Sequence, residues 1–218
     1  MKLLFSFFLF LFCTPLVSKN FIAEYSIKVK GISIGKLAWD LSLSNDSYEM
    51  SLDLVDRGFL SNIYSFNGSY SAIGKIENKQ FIPRNYTQLW VTKKKKREVE
   101  IYFENQKITK LILKPNEDEI PRINFKKIHN YLDPLSSFLK IIIYGSKSYT
   151  IDGRRTYLLW PKKEGVSTKI SIQEYTNIWA DHKRNDLEFI EIFQDQNHTL
   201  PNKIKIKFKG IIFVLNKV

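Results

Sequence analysis

The chain has 218 residues, of which 34 are Lys or Arg and 22 are Asp or Glu, giving a formal net charge of +12, with a single cysteine. That length is enough for one core that removes roughly 70% of the unfolded surface from water, and one cysteine rules out an internal disulfide. A basic balance fits nucleic acid, an anionic membrane or acidic glycans; here the lysines are spread along strand faces, which is the pattern of a solvated sheet.

Residues 1–18, MKLLFSFFLFLFCTPLVS, stand apart. Lys2 gives a short positive start, the apolar run from Leu3 to Cys13 is broken only by Ser6, and Pro15 and Ser18 lead into a polar segment. An apolar stretch of about ten residues suits a secretory signal better than the ~20 needed to span a bilayer. The expectation is export to the periplasm with cleavage close after Ser18; an uncleaved N-terminal anchor in the inner membrane is the alternative. Phe12 stands where lipid attachment at Cys13 would need a small residue, so the lipoprotein reading is set aside. The mature chain, residues 19–218, would then have no cysteine nucleophile and no thiolate ligand, and its stability must come from burial. Export also argues against a nucleic-acid partner.

From Asn20 the chain alternates. Ala23, Tyr25, Ile27 and Val29 share one side and Glu24, Ser26, Lys28 and Lys30 the other; Gly31 marks a bend. Leu37, Trp39, Leu41 and Leu43 then alternate with Asp40 and Ser42, and Tyr48, Met50, Leu52 and Leu54 with Glu49, Ser51 and Asp53. This is an antiparallel sheet with one wet face. The pattern continues through residues 63–114, where Val99, Ile101 and Phe103 alternate with Glu98, Glu100 and Glu104.

At YLDPLSSFLKIIIYGS, residues 131–146, the period changes to that of a helix. Asp133 is a good N-cap and Pro134 has its φ already suited to the first helical position. Leu135, Phe138, Leu139 and Ile142 fall on one stripe, widened by Ile143, while Ser136, Ser137 and Lys140 lie away from it. Gly145 suits the stop. A stripe about three turns long needs an apolar surface, which the inner face of a curved sheet supplies.

After the helix, Asp152-Gly153 between two strand-like runs is a strong hairpin signal. Further strands run to Val218, among them one in which Lys205 and Lys207 alternate with Ile204, Ile206 and Phe208. The fold class expected is mainly β: one antiparallel curved sheet, half-barrel or barrel-like sandwich of about eleven strands, with one capped helix, residues 133–144, packed against it. No linker or repeat divides it, so one domain is expected.

Four stretches, FIAEYSIKVKGISIGKLAW from Phe21, YLDPLSSFL from Tyr131, IDGRRTYLL from Ile151 and LPNKIKIKFKGIIFVL from Leu200, together resemble the exported bacterial family catalogued as domain of unknown function 3108. The resemblance implies a periplasmic, mostly antiparallel β-protein of Gram-negative bacteria. It brings no established activity, so no catalytic residue is carried over.

Residue chemistry adds no reaction centre. His129, His182 and His198 lie far apart in sequence without metal-ligand spacing, and no GxSxG elbow or phosphate-binding glycine loop occurs. No catalytic residue, metal or cofactor is therefore assigned. Two other groups of residues stand out. Tyr25, Trp39, Tyr48, Phe66, Tyr70, Tyr86 and Trp90 project from apolar strand faces; with Phe138 and Leu139 of the helix they could fill a core or line a cavity for one hydrophobic ligand. Lys93, Lys94, Lys95, Lys96 and Arg97, with Arg154 and Arg155 after the hairpin turn, could meet anionic headgroups or a membrane surface, or form a charged hairpin tip, a guarded strand edge and an exposed turn pair. The expected partner is a lipid or other amphiphile of the envelope. The competing expectation is a non-catalytic assembly protein that binds other proteins through sheet edges.

Overall fold

The computed structural model describes residues 18–57, 65–179, 186–195 and 198–218. Nearly all of the N-terminal segment, and His182, lie outside these. The strands are β1 (Lys19–Val29), β2 (Ile32–Leu43), β3 (Ser47–Asp56), β4 (Phe66–Glu77), β5 (Gln80–Thr92), β6 (Lys96–Glu104) and β7 (Lys107–Lys114). After helix α1 (Pro134–Tyr144) come β8 (Ser148–Ile151), β9 (Arg155–Glu164), β10 (Ser167–Asn177), β11 (Leu187–Phe193), β12 (Lys203–Phe208) and β13 (Ile211–Lys217). All belong to one antiparallel sheet in the order β7-β6-β5-β4-β3-β2-β1-β13-β12-β11-β10-β9-β8.

There are thirteen strands, not eleven. The reversals between them are tight, the β12–β13 turn consisting only of Lys209-Gly210. Antiparallel order puts the β1–β2, β3–β4, β5–β6, β8–β9 and β12–β13 connections at one end of the sheet, its upper end. The β2–β3, β4–β5, β6–β7, β9–β10 and β11–β12 connections lie at the lower end.

Alternation decides which face is buried. Ala23, Tyr25 and Ile27 face inward beside Leu37, Trp39 and Leu41, then Tyr48 and Met50, and all are buried. The sheet curls around this face but does not close. Its two edges, β7 and β8, are joined by the connection that carries α1. Lys107 of β7 bridges to His129, and Thr150 of β8 to Leu132. The Asn130 N–H donates to the Gln106 carbonyl at 3.2 Å, and the Leu132 N–H to that of Tyr149 at 2.9 Å. A short piece of this connection thus satisfies backbone groups that bare edges would leave unpaired.

Above that piece the β8–β9 turn reaches across the seam. Gly153, at φ 87°, sits so close to the β6–β7 pair that a Cβ there would lie 2.7 Å from Val99 Cγ1. Asp152 Oδ1 accepts the N–H groups of Arg154 and Arg155 at 2.9 and 2.7 Å, which sets the turn. The expected hairpin forms, packed inward at its tip, but its two turn residues are Gly153 and Arg154 rather than Asp152-Gly153, because the Asp152 N–H pairs with the Arg155 carbonyl at 3.1 Å.

α1 begins and ends where its caps dictate. Asp133 Oδ1 accepts the Leu135 and Ser136 N–H groups at 3.0 and 2.9 Å. Gly145, at φ 61°, donates its N–H to the Ile141 carbonyl at 2.8 Å. Leu135, Leu139 and Ile142 join the main core, while Ile141 packs with Tyr157, Leu159 and Ile170 on the other half of the sheet. The helix is therefore enclosed from both sides. This corrects the simple stripe: Ser136 and Ser137, away from it, are fully buried. Their hydroxyls are engaged, Ser136 with Asp133 and with Tyr48, and Ser137 with Ser148 and Thr150.

Candidate functional site

The sheet's inner face divides into a filled lower part and a less covered upper part. In the lower part Leu139 is 0% and Trp39 1% exposed, and Tyr25, Tyr48 and Tyr86 are equally enclosed. Phe138 lies on Trp39 with ring centres 5.8 Å apart, and Tyr144 meets Phe81 edge-on at 5.8 Å. Tyr25 donates its hydroxyl to the Pro201 carbonyl at 2.7 Å, and Tyr86 to Gln88 Oε1 at 3.1 Å. Burial pushes these phenols up from their usual range, and Tyr48 further because the Asp133 carboxylate lies near it. Asp133 itself is pushed up to about 6 by burial, against hydrogen bonds that favour its charge. These residues form structural core around the plug made by α1.

Above that level the inward positions remain apolar but are only half-buried: Leu52 and Leu54 of β3, Phe66 and Tyr70 of β4, and Trp90 of β5. On the far wall Ile206 and Phe213 are in the same state. Glycines explain how the rings sit. Gly68 pairs with Trp90 across the β4–β5 ladder. A Cβ on Gly68 would come 2.9 Å from the Trp90 ring and 3.0 Å from the Tyr70 ring. A Cβ on Gly35 would meet the Phe66 ring at 3.1 Å. Phe66 and Trp90 stack nearly parallel, 9° apart, at 5.6 Å. With no side chain on the glycines, the rings lie down against the sheet. Burial pushes the Tyr70 phenol up to about 12, the sign of an apolar setting.

The proposed cationic residues take different places. Lys93, Lys94 and Lys95 form the β5–β6 tip at the upper end, held by the Thr92 N–H donating to the Lys95 carbonyl at 2.8 Å, and they are exposed, as are Lys96 and Arg97. Lys96 pairs with Glu98 at 2.7 Å, and Lys114 does the same from β7. Hydrogen bonds from Lys114 and then Lys96 hold the Glu98 carboxyl down at about 2. The arginines are engaged within the chain. Arg154 Nε donates to Glu117 Oε1 at 2.6 Å across the seam. Arg155 lies 3.7 Å from Asp152 and 3.5 Å from Asp186, and its guanidinium faces the Tyr175 ring at 6.0 Å. The turn pair is thus more enclosed than an exposed pair would be.

A groove of about 500 Å³ opens at the lower end, where Leu43, Ile143, Val166, Ile192, Asp195 and His198 meet. Neither the aromatic set nor the cationic set singled out from sequence lines it. It is assembled from strand ends and the end of α1, and only the Ile142-Ile143 widening of the helical stripe pointed that way. His198 Nδ1 lies 3.8 Å from Asp195 Oδ2, both exposed. Among the described residues no group of three His, Cys, Asp or Glu is placed to hold a metal ion. No described helix is long and apolar enough to cross a membrane.

Comparison with known proteins agrees with this architecture. The chain is similar to a β-barrel-like protein of domain of unknown function DUF1849 from Brucella abortus, at 10% identity and a TM-score of 0.53, covering 93% of this chain and 96% of that one. At that identity the likeness concerns the fold. No curated protein matches the sequence. The profile of the DUF3108 family, described as proteins of unknown function, matches residues 24–181. The match takes in the first strands, α1 and the Asp152-Gly153 hairpin and stops before the stretch from Leu200. Spanning well over half of the chain, it shows that this protein belongs to the DUF3108 family.

Proposed function

We propose that the protein is exported and shelters the acyl part of an envelope lipid or lipid-linked precursor against the upper inner wall of its sheet. The observation that carries this reading is the half-buried aromatic wall of Phe66, Tyr70 and Trp90, laid flat over Gly35 and Gly68. Flat, half-buried rings suit an acyl chain, which needs apolar contact along its length and no fixed polar partner. α1 serves as the floor of the site. It is anchored from both halves of the sheet and so acts as a plug, with half-buried Phe138 lying on Trp39. The exposed lysines of the β5–β6 tip supply headgroup contacts at the mouth. Residues 1–18 supply the export signal, so the working compartment is the periplasm. Protein binding through sheet edges has less to work with, because the connection between β7 and β8 already covers part of both edges.

Native mass spectrometry of the protein purified from the cells that make it, followed by solvent extraction, tests the reading. A bound lipid of defined mass is the expected result. A bare polypeptide mass, together with no uptake of a fluorescent fatty acid, would overturn it.

A further inference from the structure

Two hairpin tips carry one short sequence. Lys30-Gly31-Ile32 joins β1 to β2, and Lys209-Gly210-Ile211 joins β12 to β13. In both, Lys and Gly take left-handed φ, 48° and 83° in the first and 51° and 75° in the second. That is the backbone of a two-residue type I′ turn. β1 pairs with β13 so that Val29 stands opposite Phe213, and the two tips therefore project side by side from the upper end.

The residues just after each glycine are unusual for a hairpin in water. Ile32 is 59% exposed, Ile211 47% and Ile212 45%. Lys28, Lys30 and Lys209 stand around them, and the Lys209 ammonium lies 5.5 Å over the Phe208 ring and 3.9 Å from Asp186. One exposed isoleucine needs no explanation. Two on the same side of neighbouring tips, Ile32 and Ile211, bordered by ammonium groups and on the same rim as Lys93–Lys95, make a patch with a defined chemistry.

We infer that these paired tips dock the upper end of the protein on an anionic phospholipid surface. The isoleucines enter the interface between headgroups and acyl chains, and the lysines meet the phosphates. The charge of Lys28 and Lys30, with Lys93–Lys95 along the rim, selects this occupant, since Lys207 and Lys209 face Glu188 and Asp186. A second copy of the chain would bring like-charged tips together, and both hairpins sit inside the sheet, so they offer no strand edge to a peptide. The inference rests on the acyl-sheltering reading in that it turns the open end of the inner wall towards the lipid, but the contact is measured separately.

Flotation of the mature chain with vesicles of phosphatidylcholine alone, and of phosphatidylcholine mixed with phosphatidylglycerol, tests it. The wild type is expected to float with the anionic vesicles and to be released by salt. An Ile32→Ser/Ile211→Ser double variant is expected to partition about tenfold or more weakly, yet to take up a fluorescent fatty acid from solution as the wild type does. Should that variant not fold, Lys30→Glu/Lys209→Glu changes only tip side chains and is expected to lose the anionic preference. Equal partition of variants and wild type overturns the inference, as does a wild type that ignores anionic vesicles. A concentration-dependent rise in mass without vesicle binding also overturns it, in favour of self-association through the tips. A wild type that passes every vesicle test but takes up no fatty acid leaves the docking contact standing and removes the sheltering reading.

Discussion

Asp133 offers the sharpest test of the plug, because it caps α1 in the interior. Its carboxyl accepts two backbone N–H groups and the Ser136 hydroxyl, which in turn contacts Tyr48. Burial raises the group from its ordinary 3.8 to about 6. The native state therefore holds this proton more tightly than the unfolded chain does. The stability so gained is complete below the unfolded value and is lost as pH rises through the folded one, so it disappears between about pH 4 and pH 6. The separation corresponds to roughly 3 kcal/mol at most.

Asp133→Asn removes the titration and keeps one oxygen for the two N–H groups. Asp133→Ala leaves both, and the Ser136 hydroxyl, without this acceptor in a dry interior, at a cost of roughly 2–4 kcal/mol. Urea melts followed by circular dichroism at pH 4.5, 6 and 7.5 measure all three proteins. Buried Asp152 is also raised by burial, so the informative quantity is the difference between wild type and Asp133→Asn at each pH. The wild type should lose stability relative to Asp133→Asn as pH rises. A difference that stays constant, or changes the other way, refutes the argument that burial outweighs the cap hydrogen bonds.

Leu139→Ala should cost about 2–5 kcal/mol in the same melts, the usual result of emptying a buried site. Half-buried Phe138→Ala should cost less and change fatty-acid uptake more. Gly74→Ala places a Cβ 2.5 Å from the Ile82 carbonyl oxygen and against the Tyr48 ring; a loss of about 1–3 kcal/mol is expected from overpacking. Gly68→Ala should push Trp90 off the sheet, read as a shifted Trp fluorescence and weaker fatty-acid uptake. Glu98 should titrate near 2 by NMR, and Lys114→Ala should return it towards the ordinary carboxylate range with little change in melting, since the pair is exposed.

Strand positions and the helix caps were legible because they are local. Alternation alone put Tyr25, Trp39 and Tyr48 on the buried face, and Asp133, Pro134 and Gly145 marked both ends of α1. What sequence could not give was what lies across the lumen. Ser136 and Ser137 read as a polar flank because a helical stripe says nothing about a second wall, and that wall comes from β8 and Tyr48, brought in from other parts of the chain. Arg154 looked like an exposed turn residue because its partner, Glu117, lies across the seam. Nor does alternation separate buried Tyr86 from half-buried Trp90, four residues apart on one strand.

The length of α1 bears on whether the interior is a filled core or a site. A barrel of eight strands is narrow enough for its own side chains to fill; a curled sheet of thirteen is wider and needs something inside it. Here α1 supplies the filling, but its 11 residues extend only about 16 Å. β4, with 12 residues, runs about 40 Å, and even a strong tilt leaves it well beyond the helix. Leu52, Leu54, Phe66, Tyr70 and Trp90 are half-buried towards that upper end, as Leu43 and Ile143 are beside the lower groove, and Gly35 and Gly68 let the rings of Phe66, Tyr70 and Trp90 lie flat. One inner face is thus divided between a stretch packed around α1 and a half-buried apolar stretch, on which the acyl-sheltering proposal rests. Filling that stretch from within provides a direct comparison: Gly68→Leu, whose Cβ has the Trp90 and Tyr70 rings as its nearest neighbours, should abolish fatty-acid uptake while α1 stays capped, whereas unchanged uptake would place the ligand elsewhere, the lower groove beside His198 being the next place to look.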